Sequence, residues 1–147
     1  MARVDYNKLI RDRIPNILIA KGIDFKARIC EDDEEYKFTL VEKLQEEAYE
    51  TKQALLSYLE NLDNDKAAKE AYLQEVVKEL ADTESIIIEL LKVFNISRDT
   101  LNTEINKKNK ENGGFDDKII LEWADDPEHK LPPDAYGPVN PTVKECH

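Results

Sequence analysis

Cysteine, glycine and long apolar runs are all scarce in this chain of 147 residues, which contains two cysteines, four glycines and one tryptophan. Two cysteines, Cys30 and Cys146, exclude a disulfide framework and indicate a reducing compartment. The sequence shows no N-terminal apolar segment, and its longest apolar cluster, residues 86–91, is far too short to span a bilayer. These absences predict a cytoplasmic protein that has no membrane partner.

Positive charge is also in deficit. Lysine and arginine number 21 against 32 aspartates and glutamates, so the formal net charge is −11. Nucleic acids and anionic membranes require a basic footprint, so we expect neither to be a partner. A phosphorylated small molecule stays compatible with this charge if metal ions mediate the contact. The composition, with 36% charged residues and little glycine, predicts a single all-α domain.

Caps and apolar periodicity predict four helices. The N-terminal arm, residues 1–31, carries a short helix that begins near Pro15 and ends at Gly22, followed by a short extended segment. Two long antiparallel helices and a final helix follow in a bundle. Their predicted ranges are about 34–62, about 67–94, and from a Ser97 cap to the glycine pair at 113–114. We interpret residues 1–124 as the domain and residues 125–147 as an irregular C-terminal tail.

Each long helix carries an apolar stripe when residues are placed 100° apart. The first stripe consists of Val41, Leu44, Ala48, Leu55, Leu59 and Leu62. The second consists of Leu73, Val76, Val77, Leu80, Ile87 and Leu91. We interpret the stripes as the core-facing sides. The second long helix is apolar on more than one side, so we predict that it is central or lies at a subunit interface.

Two acidic pairs flank these stripes, Glu47 with Glu50 and Glu79 with Asp82. Residues three apart are neighbours on a helix surface, so each pair projects to nearly one side. The pairs lie at comparable distances before and after the loop that joins the long helices, so an antiparallel hairpin sets them side by side. Crowded carboxylates repel one another unless a cation is present, and Mg²⁺ prefers such oxygen ligands. Solvated helix faces are the alternative interpretation.

Further charged residues accompany these pairs. Glu46 and Glu75 are additional acids near the same helix faces. Each is interpreted as a ligand of a second metal ion, as a general base, or as a solvated side chain with no role in the site. Basic residues concentrate in a segment over residues 7–15 (NKLIRDRIP), called the basic segment below, and at the end of the last helix. Both groups are interpreted either as phosphate contacts or as ordinary surface and dipole-compensating charges. The candidates for substrate binding are Lys8, Arg11, Asp12, Lys107, Lys108 and Lys110.

The acidic motifs EEAYE and ELAD resemble the EExxE and ExxD signature of the MazG-like, all-α nucleoside triphosphate pyrophosphohydrolase superfamily. The basic segment, the GGF that follows the last helix and the LEW beyond it resemble its phosphoribosyl-ATP pyrophosphohydrolase-like subgroup. The match covers residues 6–123. One departure is Asn112, where the subgroup resemblance leads us to expect a basic residue.

This resemblance implies a bundle of long helices that assembles as a homodimer or higher oligomer. It further implies that Glu47, Glu50, Glu79 and Asp82 hold Mg²⁺, or Mn²⁺ as a substitute, and that the chain hydrolyses nucleoside triphosphates to monophosphate and pyrophosphate. Glu46 is a candidate for activating the attacking water in that reaction. The alternatives are phosphoribosyl-ATP hydrolysis in histidine biosynthesis and a non-catalytic helical oligomer that binds cations or a basic partner.

Overall fold

The computed structural model describes residues 2–125, and in this range it contains four helices and no strand. The helices are α1 (Ile14–Ala20), α2 (Asp33–Glu60), α3 (Lys66–Val93) and α4 (Arg98–Asn112). The predicted all-helical class is thus confirmed for these residues, and the segment predicted to be extended forms no strand. Apart from its first residue, the predicted tail lies outside the described residues. The chain divides into two units after Asn106, and each is described by itself.

Within residues 2–125, no helix combines the length and the apolar character that a membrane-spanning helix has.

Polar side chains cap the first turns of the three longer helices, and Ser97 does so as the sequence predicts. The carboxylate of Asp32 accepts a hydrogen bond from the backbone N–H of Glu35 at 2.8 Å, and that of Asp65 accepts one from Ala68 at 2.9 Å. The hydroxyl oxygen of Ser97 accepts from the N–H of Thr100 at 3.0 Å. Each bond satisfies a donor that the first helical turn leaves without an intrahelical partner.

Left-handed residues end α1 and α3. Gly22 has a φ of 66°, and its N–H donates to the carbonyl of Ile19 while the next N–H donates to Leu18. Asn95, with a φ of 54°, closes α3 by the same pair of bonds, to Lys92 and Leu91. This double closure satisfies two terminal carbonyls and turns the chain out of the helix. Asparagine tolerates this backbone conformation better than most residues that carry a side chain.

The helices α2 and α3 pack against each other along their length. The hydroxyl of Tyr36, near the start of α2, donates to Glu89 near the end of α3 at 3.2 Å. In the middle of the pair, Thr51 donates to the carbonyl of Glu79 at 3.1 Å and lies 2.9 Å from the hydroxyl of Thr83. These contacts show that the two helices run in opposite directions, and their hydrogen-bonded polar groups make a substantial part of the helix–helix seam.

Apart from Val76, no residue of the apolar stripes is buried in this seam, in contrast to the sequence-based interpretation. Within the described residues only Leu40 and Val76 are buried apolar side chains, and Glu47 and Thr51 are buried beside them. Val41 is 52% exposed and Leu80 is 49% exposed. Helical periodicity identifies which residues share a face, but it does not identify which face meets a neighbour in the same chain. Most packed positions lie one residue before a stripe residue, while Val76 is itself a member of the second stripe.

Both stripes lie on the same side of the hairpin. The exposed members of each stripe follow packed positions by one residue, which is a rotation of about 100° in the same helical sense. Because the two helices run in opposite directions, equal rotations carry the stripes to one common face. Residues 50 and 82 follow the packed positions 47 and 79 by three, a rotation of about 60° in the opposite direction. The apolar and acidic faces of the hairpin are therefore opposed.

Replacing Asp32 with alanine should lower the free energy of unfolding by about 1 kcal/mol, because it removes the side-chain acceptor that caps α2. The matched control is Asp33→Ala, one residue into the helix, where loss of the favourable helix-dipole interaction costs about 0.3 kcal/mol. Urea denaturation followed by circular dichroism measures both. Equal losses for the two variants would contradict the capping role.

Candidate metal centre

The carboxylates predicted to face one another do converge. Donor oxygens of Glu47, Glu79 and Asp82 lie within 4.8 Å of one another, and those of Glu46, Glu47 and Glu50 form a second group with the same limit. Glu47 belongs to both groups, so one continuous acidic cluster bridges α2 and α3. The hairpin register that the sequence predicts for the two acidic pairs is confirmed by this convergence.

Two oxygens at the centre of the cluster are buried without a hydrogen-bond partner among the described residues, Glu47 Oε2 and Glu79 Oε2. Glu47 is only 6% exposed. A buried carboxylate oxygen that accepts no hydrogen bond is unfavourable in a folded protein. Both belong to a set of hard oxygen donors from several side chains, which is the chemistry that a hard divalent cation binds. The residues present therefore fit a divalent metal ion.

Crowding of the carboxylates changes their ionisation. Burial, followed by the charges of Glu47, Glu79 and Glu46, raises the pKa of Glu50 above its ordinary value. Burial also raises the pKa of Glu79, with the charges of Asp82 and Glu47 as the next causes. A nearby cation would lower the pKa values of these carboxyls, because it favours the charged form of every carboxyl around it.

Lys43 is the functional residue that the sequence predictions missed. Its ammonium group lies 3.1 Å from Glu46 Oε2 and 3.1 Å from Glu47 Oε1, and its side chain is only 14% exposed. Burial by itself would lower the pKa of Lys43, but hydrogen bonds to Glu47 and Glu46 outweigh it and raise the pKa. The available signal was its spacing of three and four residues from these acids.

The basic segment lies against the acidic cluster. Lys8 Nζ is 2.6 Å from Glu46 Oε1, and Arg11 Nη2 is 2.5 Å from Asp82 Oδ1. Burial of Glu46 alone would raise its pKa, but the bonds from Lys8 and Lys43 prevail and lower it. Both oxygens of Glu46 thus accept from lysines, an arrangement that disfavours Glu46 as a proton acceptor for water.

Two clefts adjoin the cluster. One, of about 360 Å³, is lined by Glu50 and Glu79 together with Gln53, Ser57 and Tyr72 among others. The other, of about 400 Å³, is lined by Glu47, Asp82 and Lys43 on the hairpin and by residues of the basic segment, including Arg11 and Asp12. Cations line the second cleft but not the first. The second cleft is therefore the better environment for phosphate groups.

The remaining residues that the sequence predicts for the site belong to neither group of convergent carboxylates, and three of them lie in the second unit. Glu75 lines the first cleft and pairs with Lys78 at 2.6 Å, and it belongs to neither group of convergent carboxylates. Lys107, Lys108 and Lys110 are exposed in the last turns of α4, in the second unit. Their predicted role in phosphate binding stays a prediction. Gly113, with a φ of 79°, ends α4 as the sequence predicts.

No protein-family model, no curated protein and no solved structure matches this chain. The candidate site is therefore defined by its own geometry.

Replacing Glu79 with glutamine should increase the free energy of unfolding of the metal-free protein at pH 7.5. A carboxyl with a raised pKa in the folded state opposes folding above that pKa, since unfolding lets it ionise more readily. The gain should shrink as the pH is lowered and vanish below about 3.5, where both states hold the proton. Urea denaturation in EDTA across this pH range measures the effect.

The control for this series is Glu104→Gln, an exposed position on α4 that lies outside the acidic cluster. It should change the free energy of unfolding little at any pH. A gain for Glu79→Gln that increased toward acid pH would contradict the assigned cause.

Proposed function

We propose that this chain is a Mg²⁺-dependent nucleoside triphosphate pyrophosphohydrolase that releases the monophosphate and pyrophosphate. The observation that carries the proposal is the convergence of carboxylates from α2 and α3 around two buried, unpartnered oxygens. The resemblance of EEAYE, ELAD and the basic segment to the MazG-like superfamily supports the same assignment. The cleft that joins acids to Lys43 and Arg11 further supports a phosphate-bearing substrate.

Glu47, Glu50, Glu79 and Asp82 would hold the ion. Bound there, Mg²⁺ would supply positive charge to the phosphate oxygens as the anhydride bond breaks. Lys43 holds one oxygen of Glu47 and leaves the other directed into the cluster. The buried hydroxyl of Thr51 ties α2 to the backbone of Glu79 and so fixes the spacing between the two acidic pairs.

The cations of the second cleft would bind the phosphate chain. Arg11 offers a planar guanidinium that can donate two hydrogen bonds to a phosphate group, and Lys43 offers a second positive charge in the same cleft. Lys8 adds a third positive charge in the basic segment, close to Arg11 in sequence. Glu46 is a poor proton acceptor for the attacking water, because hydrogen bonds from Lys8 and Lys43 lower its pKa. The first cleft, with Tyr72 and Gln53, offers an aromatic ring and an amide to the nucleoside.

Glu47→Gln should abolish Mg²⁺ binding and reduce turnover by roughly 100-fold or more, because it removes the shared ligand while keeping the shape of the side chain. Calorimetry with Mg²⁺ and a pyrophosphate-release assay over a panel of nucleoside triphosphates measure these effects. Including phosphoribosyl-ATP in the panel separates the two enzymatic alternatives.

The matched control is Glu42→Gln, an exposed acid on α2 outside both carboxylate groups. It should keep metal binding and turnover. Unchanged turnover in Glu47→Gln at saturating Mg²⁺ would contradict the metal centre. Release of inorganic phosphate and a nucleoside diphosphate, rather than pyrophosphate and a monophosphate, would contradict the proposed bond.

We further propose that a second copy of this chain covers the apolar face of the hairpin, which completes a bundle of long antiparallel helices. The hairpin has only two buried apolar side chains among the described residues, while large apolar groups on one common face are exposed. These exposed residues are Val41, Leu55, Leu59, Leu73, Val77 and Leu80. A face of this kind, repeated on both helices, is self-complementary under two-fold symmetry.

Leu80→Glu should convert the assembly to monomers and lower its thermal stability, because the new charge lies in the centre of the apolar face. Light scattering coupled to size-exclusion chromatography measures the mass. Gln53→Glu, an exposed polar position on the other side of α2, is the charge-matched control and should leave the mass unchanged. A wild-type protein that is monomeric at micromolar concentration would contradict the second copy as occupant.

A further inference from the structure

The basic segment contacts the acidic cluster mainly through its charges. Lys8 binds Glu46 and Arg11 binds Asp82, while only Leu9 and Ile10 between them are half-buried against the hairpin. Residues 7–11 are in neither helix nor strand, and Asn7 lies in the left-handed region with a φ of 46°. Few packed side chains and no regular backbone pairing therefore hold this stretch in place.

These charges divide the carboxylates into two classes. Asp82 gives one oxygen to Arg11, and Glu46 gives one to Lys8 and the other to Lys43. Glu47 and Glu79 each keep a buried oxygen without a partner among residues 2–125. Arg11 thus occupies an oxygen of a carboxylate that a divalent cation would also need. The Asp82 oxygen that accepts from Arg11 would bind a divalent cation less strongly while Arg11 stays in place.

We propose that the basic segment is a strap that exchanges partners: Lys8 and Arg11 are internal counter-ions of the metal-free cluster and move to the phosphate groups when the divalent cation binds. This inference rests on the proposed function, since it specifies how that site is regulated. The Arg11 and Asp82 side chains are 63% and 39% exposed, so their ion pair is weak enough for a divalent ion to displace.

The exchange follows from charge. A divalent cation among the carboxylates supplies the positive charge that the strap supplies in its absence, so it weakens the attraction of Arg11 to Asp82. The phosphate chain then restores an anionic partner in the same cleft, which Arg11 and Asp12 already line. The strap therefore opposes binding of the metal alone and favours binding of the metal together with a polyphosphate.

Arg11→Gln should change two affinities in opposite directions. Calorimetry with Mg²⁺ alone should show binding about two- to five-fold tighter than in the wild type, since the competing ion pair is gone. Calorimetry with pyrophosphate at saturating Mg²⁺ should show binding roughly ten-fold weaker, since a charged donor to phosphate is gone. Lys8→Gln should show the same pair of signs.

Arg3→Gln is the matched control. Arg3 precedes the basic segment and pairs with Asp5 at 2.7 Å instead of with the acidic cluster. It should leave both affinities unchanged. Circular dichroism of each variant verifies that the helices are retained.

The two signs separate the strap from simpler roles. Tighter metal binding with weaker pyrophosphate binding supports the exchange. Unchanged or weaker metal binding in Arg11→Gln overturns the strap, and the proposed function then stands if the wild type binds Mg²⁺ and releases pyrophosphate from nucleotides. If the wild type binds Mg²⁺ but hydrolyses no nucleotide, the proposed function is overturned. The two titrations of Arg11→Gln then decide the exchange by themselves. A wild type that does not bind Mg²⁺ overturns both.

Discussion

Confinement of like charges between two helices is the constraint on which the rest of this structure depends. The α2–α3 seam holds Glu47 and Glu79, each with a buried oxygen that has no partner in the described part of the chain. Burial raises the pKa of Glu79, so this carboxyl ionises less readily than it would in water. Lys43, Lys8 and Arg11 gather around the seam for the same reason. The positive charges around the seam are thus a consequence of the buried acids.

The ends of the helices and the meeting of the acids were predictable from the sequence because both depend on local rules. Asp32 and Asp65 cap their helices, and Gly22 closes α1, through bonds within a few residues of chain. The acidic pairs meet because equal distances from one loop set the register of a hairpin. The resulting cluster required only helical spacing and an antiparallel turn.

The core and the counter-charges were not predictable in the same way. An apolar stripe indicates burial, but the partner that buries it need not be in the same chain, and here Val41 and Leu80 stay exposed while Glu47 is buried. Lys43 was overlooked because a lysine near glutamates is common on solvated helices. The contact between Arg11 and Asp82 joins positions 71 residues apart, and helical spacing carries no information at that range.

Under the proposed function, the opposed faces of the hairpin give one pair of helices two separate tasks. One face would be covered by another copy of the chain, and the other would bind a cation. The polar contacts of Thr51 with Glu79 and Thr83 lie between them and hold the spacing of the helices. Substitutions on the apolar face would therefore act on assembly first and on the acids only through the separation of the helices.

The unpartnered oxygens in the seam also have a consequence for the lifetime of the protein in a cell. A ligand that binds only the native state adds to its stability in proportion to the logarithm of its free concentration. If a divalent ion satisfies Glu47 and Glu79, depletion of that ion shifts molecules toward opened forms, which proteases degrade. The abundance of the protein would then report the supply of its own cofactor, without any dedicated sensor.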